Sequence, residues 1–187
     1  MQTISNLRNH LLIAVPGMQD SYFDHTVTLV CQHDDQGAFG VTINRPLELT
    51  VGELLSQLDI EVLDPVVAGL LAVSGGPIQQ EQGFVLHDGG LNWDSTLEIA
   101  TGLFLTSSRD ILVDLAKGEG PEHFLLILGC SGWSPGQLEN ELKENTWLIV
   151  PSTSELLFAT PFPERWRGAA SLMGIDVSLL GSVAGHA

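Results

Sequence analysis

The chain has 187 residues, with 23 acidic and 7 basic side chains and a formal net charge of −16. A chain of this length is typical of one domain, and a composition that is 44% apolar and only 16% charged excludes a disordered protein. We therefore predict a single domain over residues 1–187. The excess of acidic groups disfavours direct binding to nucleic acid, because it would repel a phosphate backbone.

The apolar runs and the cysteines indicate the compartment. The N-terminal apolar run, residues 11–15, ends at Pro16. It is shorter than the ~7–15 residues of an export signal and the ~20 residues of a membrane-spanning helix. Cys31 and Cys130 show no CxxC spacing, which favours reduced thiols, although a disulfide between them stays open on parity alone. The sequence thus predicts a cytoplasmic protein with no membrane contact.

Apolar runs with period-two alternation predict eight strands in chain order. The polar turn at residues 33–37 joins the second strand to the third, which predicts a hairpin. The strands are predicted at residues 11–15, 26–31, 39–43, 71–73, 84–87, 103–106, 124–128 and 147–150.

Four short helices are predicted between and after these strands, at residues 51–58, 108–116, 134–145 and 163–173. In the third of them we expect Ser134 as the N-cap, Pro135 as the first helical residue and Gln137 as the reciprocal cap. Because early strands come in hairpins and later ones alternate with helices, the fold class is α+β with a mixed sheet flanked by short helices. The C-terminal segment 151–187 is expected to pack on the main body.

A glycine-rich loop at residues 129–136 is the densest candidate for a binding site. It joins an apolar strand to a helix, where backbone N–H groups and the helix dipole favour an anion. The alternative is a tight turn that lets Trp133 pack beneath it, since the loop lacks the lysine of a phosphate-binding loop. A second turn, residues 74–77, follows the strand at 71–73; it permits a close backbone approach, and the alternative is a turn that simply ends the strand. The candidate ligand residues are Ser131, Gly132, Gly136, Gln137, Gly75 and Gly76, with His87 and Arg45 as candidate support.

No catalytic residue, metal ligand or cofactor is predicted. Ser134 lies in a GxSxG pattern, but the next residue is Pro135, which lacks the N–H that an oxyanion hole requires. Cys130 precedes a predicted helix, where thiolate character rises, yet a buried cysteine acting as a small hydrophobe is the simpler interpretation. Cys31 and His33 lack the third and fourth ligands of a structural metal site. The basic pair at 165–167 is interpreted as a solvated helix face.

These motifs together resemble the YqgE/AlgH family of bacterial proteins over essentially the whole chain. The resemblance implies a compact α+β domain with a mixed, curved sheet in the bacterial cytoplasm, and it brings no agreed catalytic residues. Some members carry the name of transcriptional regulator. Members commonly have an aromatic residue at Cys130 and a glycine at Ser134, which weakens any mechanism that rests on either side chain. The matching segments are 12–16, 40–46, 75–77, 83–87, 128–139, 147–148 and 185–187, with Asp20 and Phe23.

Three hypotheses for the function remain open. The first is a non-enzymatic regulatory or protein-interaction module, whose acidity suits a basic protein partner. The second is a small-molecule or anion binder, or an enzyme, that uses the 129–136 loop. The third is a direct DNA-binding regulator, which the net charge disfavours. The sequence predicts no oligomeric state, because it contains no heptad repeat or distinct apolar patch.

Overall fold

The computed structural model describes residues 6–15 and 23–174. Pro16, Asp20 and the closing motif at 185–187 lie outside the described residues. The chain forms two compact units, the first comprising Met1–Asn44 and Gly132–Ala187 and the second comprising Arg45–Ser131. The single domain over residues 1–187 stays a prediction. Within the described ranges, no helix combines the length and the apolar character that a bilayer-spanning segment needs.

The described residues contain ten strands and five α-helices. The strands are β1 His10–Ala14, β2 Val27–Asp34, β3 Gly37–Thr42, β4 Pro46–Thr50, β5 Leu71–Ser74, β6 Ile78–His87, β7 Thr96–Ala100, β8 Leu103–Thr106, β9 Phe124–Trp133 and β10 Trp147–Pro151. The helices are α1 Val51–Gln57, α2 Pro65–Ala68, α3 Arg109–Lys117, α4 Gln137–Lys143 and α5 Arg165–Ser171, with a π-helical turn at Glu155–Ala159 and a 3-10 turn at Phe162–Glu164.

The first unit contains four antiparallel strands in the order β10-β1-β2-β3. The predicted hairpin between β2 and β3 is confirmed, but the strands run further than predicted and pair Asp34 with Gly37. The hydrophobic core of this unit contains Trp133 and Trp147, whose rings meet edge to face with centroids 6.5 Å apart. The predicted packing of Trp133 is therefore confirmed, but the tight turn predicted with it is wrong, because Trp133 is the last residue of β9.

The second unit contains strands in the order β4-β5-β9-β6-β8-β7, of which β5 and β9 are parallel and the others antiparallel. Helices α1 and α3 bury their apolar stripes against β6 and β9. The predicted α+β class with a mixed sheet and short helices is confirmed. The core of this unit is built from Val51, Leu55, Ile60, Val85, Trp93, Ile111, Leu115, Ala116 and Leu126.

Helix α4 begins later than the sequence predicts, so the prediction that Ser134 is its N-cap is wrong. Gly136 occupies the N-cap with a φ of 77°, a left-handed conformation that favours glycine. The amide N–H of Ser134 donates to the Gln137 side-chain oxygen at 2.9 Å, so one half of the expected reciprocal pair is present. The turn before the helix, and not the helix, contains the Ser-Pro pair.

The predicted solvated face at 165–167 is wrong for Arg165, which is 3% exposed. Its Nε donates to the Thr160 carbonyl at 2.8 Å and its Nη1 to the Ile43 carbonyl at 2.7 Å, while the guanidinium lies 4.4 Å from the Phe162 ring centroid. Burial lowers the pKa of Arg165 to about 10, so the side chain stays charged at neutral pH. Only Arg167 is exposed, as predicted.

Candidate functional site

The two glycine-rich turns of the sequence are in direct backbone contact within the second unit. A Cβ added to Gly75 would lie 2.3 Å from the Gly129 carbonyl oxygen, and one added to Gly76 would lie 2.1 Å from that of Cys130. The Gly75 N–H donates to the Leu128 carbonyl at 2.7 Å. The close backbone approach that the Gly75-Gly76 turn permits is present, so this turn does more than end a strand. The approach leaves no room for a ligand where the two turns touch, because even a methyl group would collide with backbone atoms.

Most of the predicted glycine-rich loop is strand. Residues 129–133 continue β9, and Ser131 is 3% exposed with no hydrogen-bond partner for its Oγ in the described part of the chain. Gly132, Gly136 and Gln137 belong to the first unit and are exposed. The structure therefore does not gather the six candidate ligand residues around an opening within either unit.

Cys130 is a buried thiol. Its Sγ lies 3.7 Å from the Ile78 carbonyl oxygen, and burial raises its pKa, which disfavours the reactive thiolate. The interpretation as a small hydrophobe is supported. Cys130 and Cys31 are both buried, and neither forms a disulfide in the described part of the chain. In the described ranges, no group of three or more histidine, cysteine, aspartate or glutamate side chains is placed to hold a metal ion.

The candidate supports His87 and Arg45 line none of the three grooves that are described in the second unit. His87 is fully buried, with its Nε2 2.7 Å from Thr106 Oγ1 and its Nδ1 accepting from the Gly89 N–H at 3.1 Å. Because Nδ1 accepts, the proton resides on Nε2 and Thr106 is the acceptor. The Thr106 hydroxyl lies 2.7 Å from that of Thr96 and continues this chain of hydrogen bonds. Arg45 contributes its backbone carbonyl, which accepts from Ser74 N–H at 2.8 Å.

Burial lowers the pKa of His87 to about 4, despite the opposing effect of Asp88, so the folded protein holds it neutral. An unfolded chain binds this proton near pH 6.5, so stability rises with pH between about 4 and 6.5 and is lost on acidification through that window. We expect wild-type protein to lose about 2 kcal/mol between pH 7 and pH 5 from this group. Urea unfolding at both pH values measures the loss.

The same measurements on His87→Gln provide the control, because glutamine keeps a hydrogen-bonding amide but does not titrate. The pH dependence of this variant should be shallower than that of wild type by the same amount. Equal pH dependence in the two proteins would contradict the assignment of His87 as a neutral core histidine.

One opening of the second unit is a groove of about 260 Å³ between α1, α3 and the strands β6 and β9, which we call the α1–α3 groove. Apolar side chains form most of its wall, and the start of α3 and part of β6 supply the polar rim. Its lining is Leu54, Leu58, Glu81, Gln82, Gly83, Val85, Thr106, Ser107, Ser108, Arg109, Leu112, Leu126 and Leu128.

A bulge in β6 places two of the polar rim residues. Ile78 pairs with Cys130 and Gly83 with Leu128, so four residues of β6 stand opposite the single residue Gly129. Gln79 within the bulge has a φ of 50°, an uncommon conformation for a residue with a Cβ. Such bulges re-aim side chains and are frequent beside functional sites. The glycine contacts therefore matter indirectly, because Gly129 permits the bulge that borders the groove.

Two polar side chains at the start of α3 are already hydrogen-bonded within the protein. Arg109 Nη1 donates to the Leu58 carbonyl at 2.9 Å, and the Ser108 hydroxyl donates to Asp110. The residues that line it include no histidine or cysteine, and His87 lies behind Thr106 in neutral form. The arrangement offers an apolar slot with a carboxylate, Glu81, on its rim.

A second surface of the same unit is the segment 58–71, which follows α1 and includes α2. Ile60, Val62 and Val67 of this segment pack against the core. Its remaining large apolar side chains face outward, and Leu63 and Val66 are 75% and 74% exposed. The exposed set is Leu58, Leu63, Val66, Leu70 and Leu71, five of the nine exposed large hydrophobics in the described residues.

Acidic groups surround these apolar side chains. Asp59, Glu61 and Asp64 lie within the segment and are exposed. Residues 46–108 contain nine acidic residues and no lysine or arginine, the nine being Glu48, Glu53, Asp59, Glu61, Asp64, Glu81, Asp88, Asp94 and Glu98. This surface was not predicted from the sequence, although the long interval without lysine or arginine could have indicated it.

Known proteins match the chain over nearly its full length. A family model described as AlgH-like matches residues 11–178. A UPF0301 protein of Xanthomonas axonopodis pv. citri is 50% identical over 181 residues, covering 97% of this chain and 96% of that one. A UPF0301 protein of Stenotrophomonas maltophilia is 48% identical over 184 residues, covering 98% of each chain.

Solved structures agree with this match. The solution structure of the AlgH protein from Pseudomonas aeruginosa has a TM-score of 0.81 and 44% identity, covering 100% of this chain and 99% of that one. A crystal structure of a protein from Corynebacterium diphtheriae has a TM-score of 0.75, covers 96% and 94% of the two chains, and at 19% identity supports the fold alone. The resemblance found in the sequence is confirmed, and the chain belongs to the AlgH-like family.

Proposed function

We propose that this protein is a cytoplasmic, non-enzymatic protein-interaction module that docks a basic protein partner through the 58–71 segment. The observation that carries the proposal is that five exposed large apolar side chains fall within the 14 residues 58–71, among exposed carboxylates. Single exposed hydrophobics are normal on a protein surface, but contiguous ones with a polar rim are typical of interaction sites. Regulation of a cellular process would then follow from the partner.

The segment is held in place before any partner binds. The Val51 N–H donates to the Leu70 carbonyl at 2.7 Å, and the Asp64 side chain caps α2 by accepting from Val66 N–H at 2.9 Å. Gly52 of α1 lies against Ala68, where an added Cβ would stand 2.9 Å from the Ala68 Cβ. A surface fixed in this way loses little conformational entropy on binding.

Charge favours a protein partner over nucleic acid. The nine carboxylates of residues 46–108 face no lysine or arginine within that interval. They would repel a phosphate backbone and attract lysine and arginine side chains of a protein. The family name of transcriptional regulator is compatible with this proposal if the action on transcription passes through a protein.

Affinity capture from a lysate of the source cells, at about 50 mM and about 300 mM salt, tests the proposal. Leu63→Ser removes an exposed anchor, and we expect the variant to lose a partner that wild type retains at low salt. Leu91→Ser is the matched control, because Leu91 is 62% exposed in the same unit but outside the segment. Glu61→Gln should weaken retention mainly at low salt.

Both serine variants should unfold with the same midpoint as wild type, since neither leucine is in the core. If Leu63→Ser and Leu91→Ser retain the same proteins as wild type, or if wild type retains none at low salt, the 58–71 segment is not a docking surface.

A further inference from the structure

We infer that the α1–α3 groove receives one large aliphatic side chain of the partner, next to a lysine or arginine that pairs with Glu81. This inference rests on the proposed function and names the chemistry of the partner: a peptide segment in which an aliphatic anchor is flanked by basic residues. No role for this groove was predicted from the sequence.

The lining supports an aliphatic anchor. Leu54 of α1, Leu58 at the C-cap of α1, Leu112 of α3 and Leu128 of β9 line the same space as Val85. A volume of about 260 Å³ accommodates a leucine or methionine side chain. When an aliphatic side chain enters the groove, its apolar surface is removed from water. This burial contributes much of the binding free energy at the centre of an interface.

The charges on the rim support a basic flank. Glu81 is exposed on the bulge of β6 and lines the groove. Arg109, the base in the lining, directs its Nη1 to the Leu58 carbonyl. A lysine or arginine beside the anchor can pair with Glu81, whereas the positive charge of Arg109 in the same lining disfavours a second base next to it. An acidic flank would be repelled by Glu81.

The groove is continuous with the proposed docking surface. Leu58 lines the groove and also belongs to the exposed set of the 58–71 segment. A partner chain that lies along the segment thus reaches the groove at the C-terminal end of α1. The groove is concave and mostly apolar, and such a site can select one side chain from a sequence.

A larger side chain at Gly83 can fill the groove without displacing the residues around it. A Cβ at Gly83 would meet only Leu128 Cδ2, at 3.9 Å, an ordinary contact distance. Gly83→Leu therefore places an aliphatic side chain in the slot that the partner's anchor would occupy. Gly83→Ala adds only the Cβ and serves as the matched control.

The test uses the full chain with labelled leucine and valine methyl groups and two synthetic nonapeptides. One peptide has a central leucine between lysines, and the other has alanine in its place. We expect the leucine peptide to shift the methyl resonances of Leu58, Leu112 and Leu128 and to bind about tenfold more tightly than the alanine peptide. In Gly83→Leu this difference should vanish, whereas Gly83→Ala should keep it. Glu81→Gln should weaken both peptides at low salt.

Equal binding of the two peptides to wild type, or an unchanged preference in Gly83→Leu, would overturn the inference. Retention of the cellular partner by the two variants distinguishes the inference from the proposed function. Loss of the partner with Leu63→Ser but not with Gly83→Leu keeps the docking segment and rejects the groove. Loss with Gly83→Leu but not with Leu63→Ser keeps the groove and rejects the segment.

Discussion

Replacing Arg165 by methionine is expected to lower the free energy of unfolding by about 3 kcal/mol. Methionine keeps much of the buried volume but removes the donors that satisfy the carbonyls of Ile43 and Thr160. Each buried carbonyl left without a donor costs about 1–3 kcal/mol. Because these two carbonyls belong to separate segments of the first unit, Arg165 also fixes α5 in its position.

Arg167→Met is the matched control, since Arg167 lies on the same helix and is exposed. We expect it to change the free energy of unfolding by less than about 0.5 kcal/mol. Denaturation in urea, analysed by linear extrapolation, measures both variants. Arg165→Lys should recover only part of the loss, because one ammonium group cannot reproduce the fork of the guanidinium. Similar stabilities of Arg165→Met and Arg167→Met would contradict a structural role for the buried guanidinium.

Gly129→Ala is expected to destabilise the protein by at least about 3 kcal/mol. The added Cβ would lie 2.6 Å from the Gly76 carbonyl oxygen and 3.3 Å from that of Ile78. These are backbone atoms, so the strands that carry them must move apart for the methyl group to fit. The φ of 82° at Gly129 adds the cost of a left-handed conformation.

Gly102→Ala separates the clash from the conformational cost. Gly102 has a φ of 80°, and an added Cβ would meet no atom within 4 Å. We expect this control to lose only about 1 kcal/mol. If the two alanine variants unfold at the same denaturant concentration, the backbone contact between the glycine turns contributes nothing beyond the φ angle. A further consequence is functional, because Gly129→Ala should also displace the β6 bulge and alter the α1–α3 groove.

The two strands that were not predicted from the sequence, β4 and β7, lie at the edges of the second unit. β4 pairs only with β5 and β7 only with β8, and most of their side chains are partly or fully exposed. An edge strand does not need strict alternation of apolar residues, so the pattern that predicted the central strands is weak there. The first half of β6 was also not predicted, because residues 79–82 are polar and bulge out of the strand pairing.

The candidate site was predicted from the sequence only in part. The sequence allowed a close backbone approach at the Gly75-Gly76 turn but favoured a simple strand-ending turn, and the structure shows the close approach. The assignment of residues 129–136 to an anion-binding loop depended on a helix starting at Ser134, whereas α4 starts at Gln137 and residues 129–133 lie in β9. A glycine permits several conformations, so the same Gly-Cys-Ser-Gly run is compatible with a loop or with a strand that must admit another backbone.

The sequence by itself determined the fold class, the central strands and the family, because these depend on the periodicity of apolar residues and on motifs that lie close together along the chain. Tertiary structure decided that Arg165 is buried, that the two glycine turns touch, and that Leu58 and Leu128 line one groove. Each of these facts joins residues far apart in the chain. Whether an arginine is solvated or donates to Ile43 depends on which carbonyls the folded backbone brings to it, and no local pattern records that.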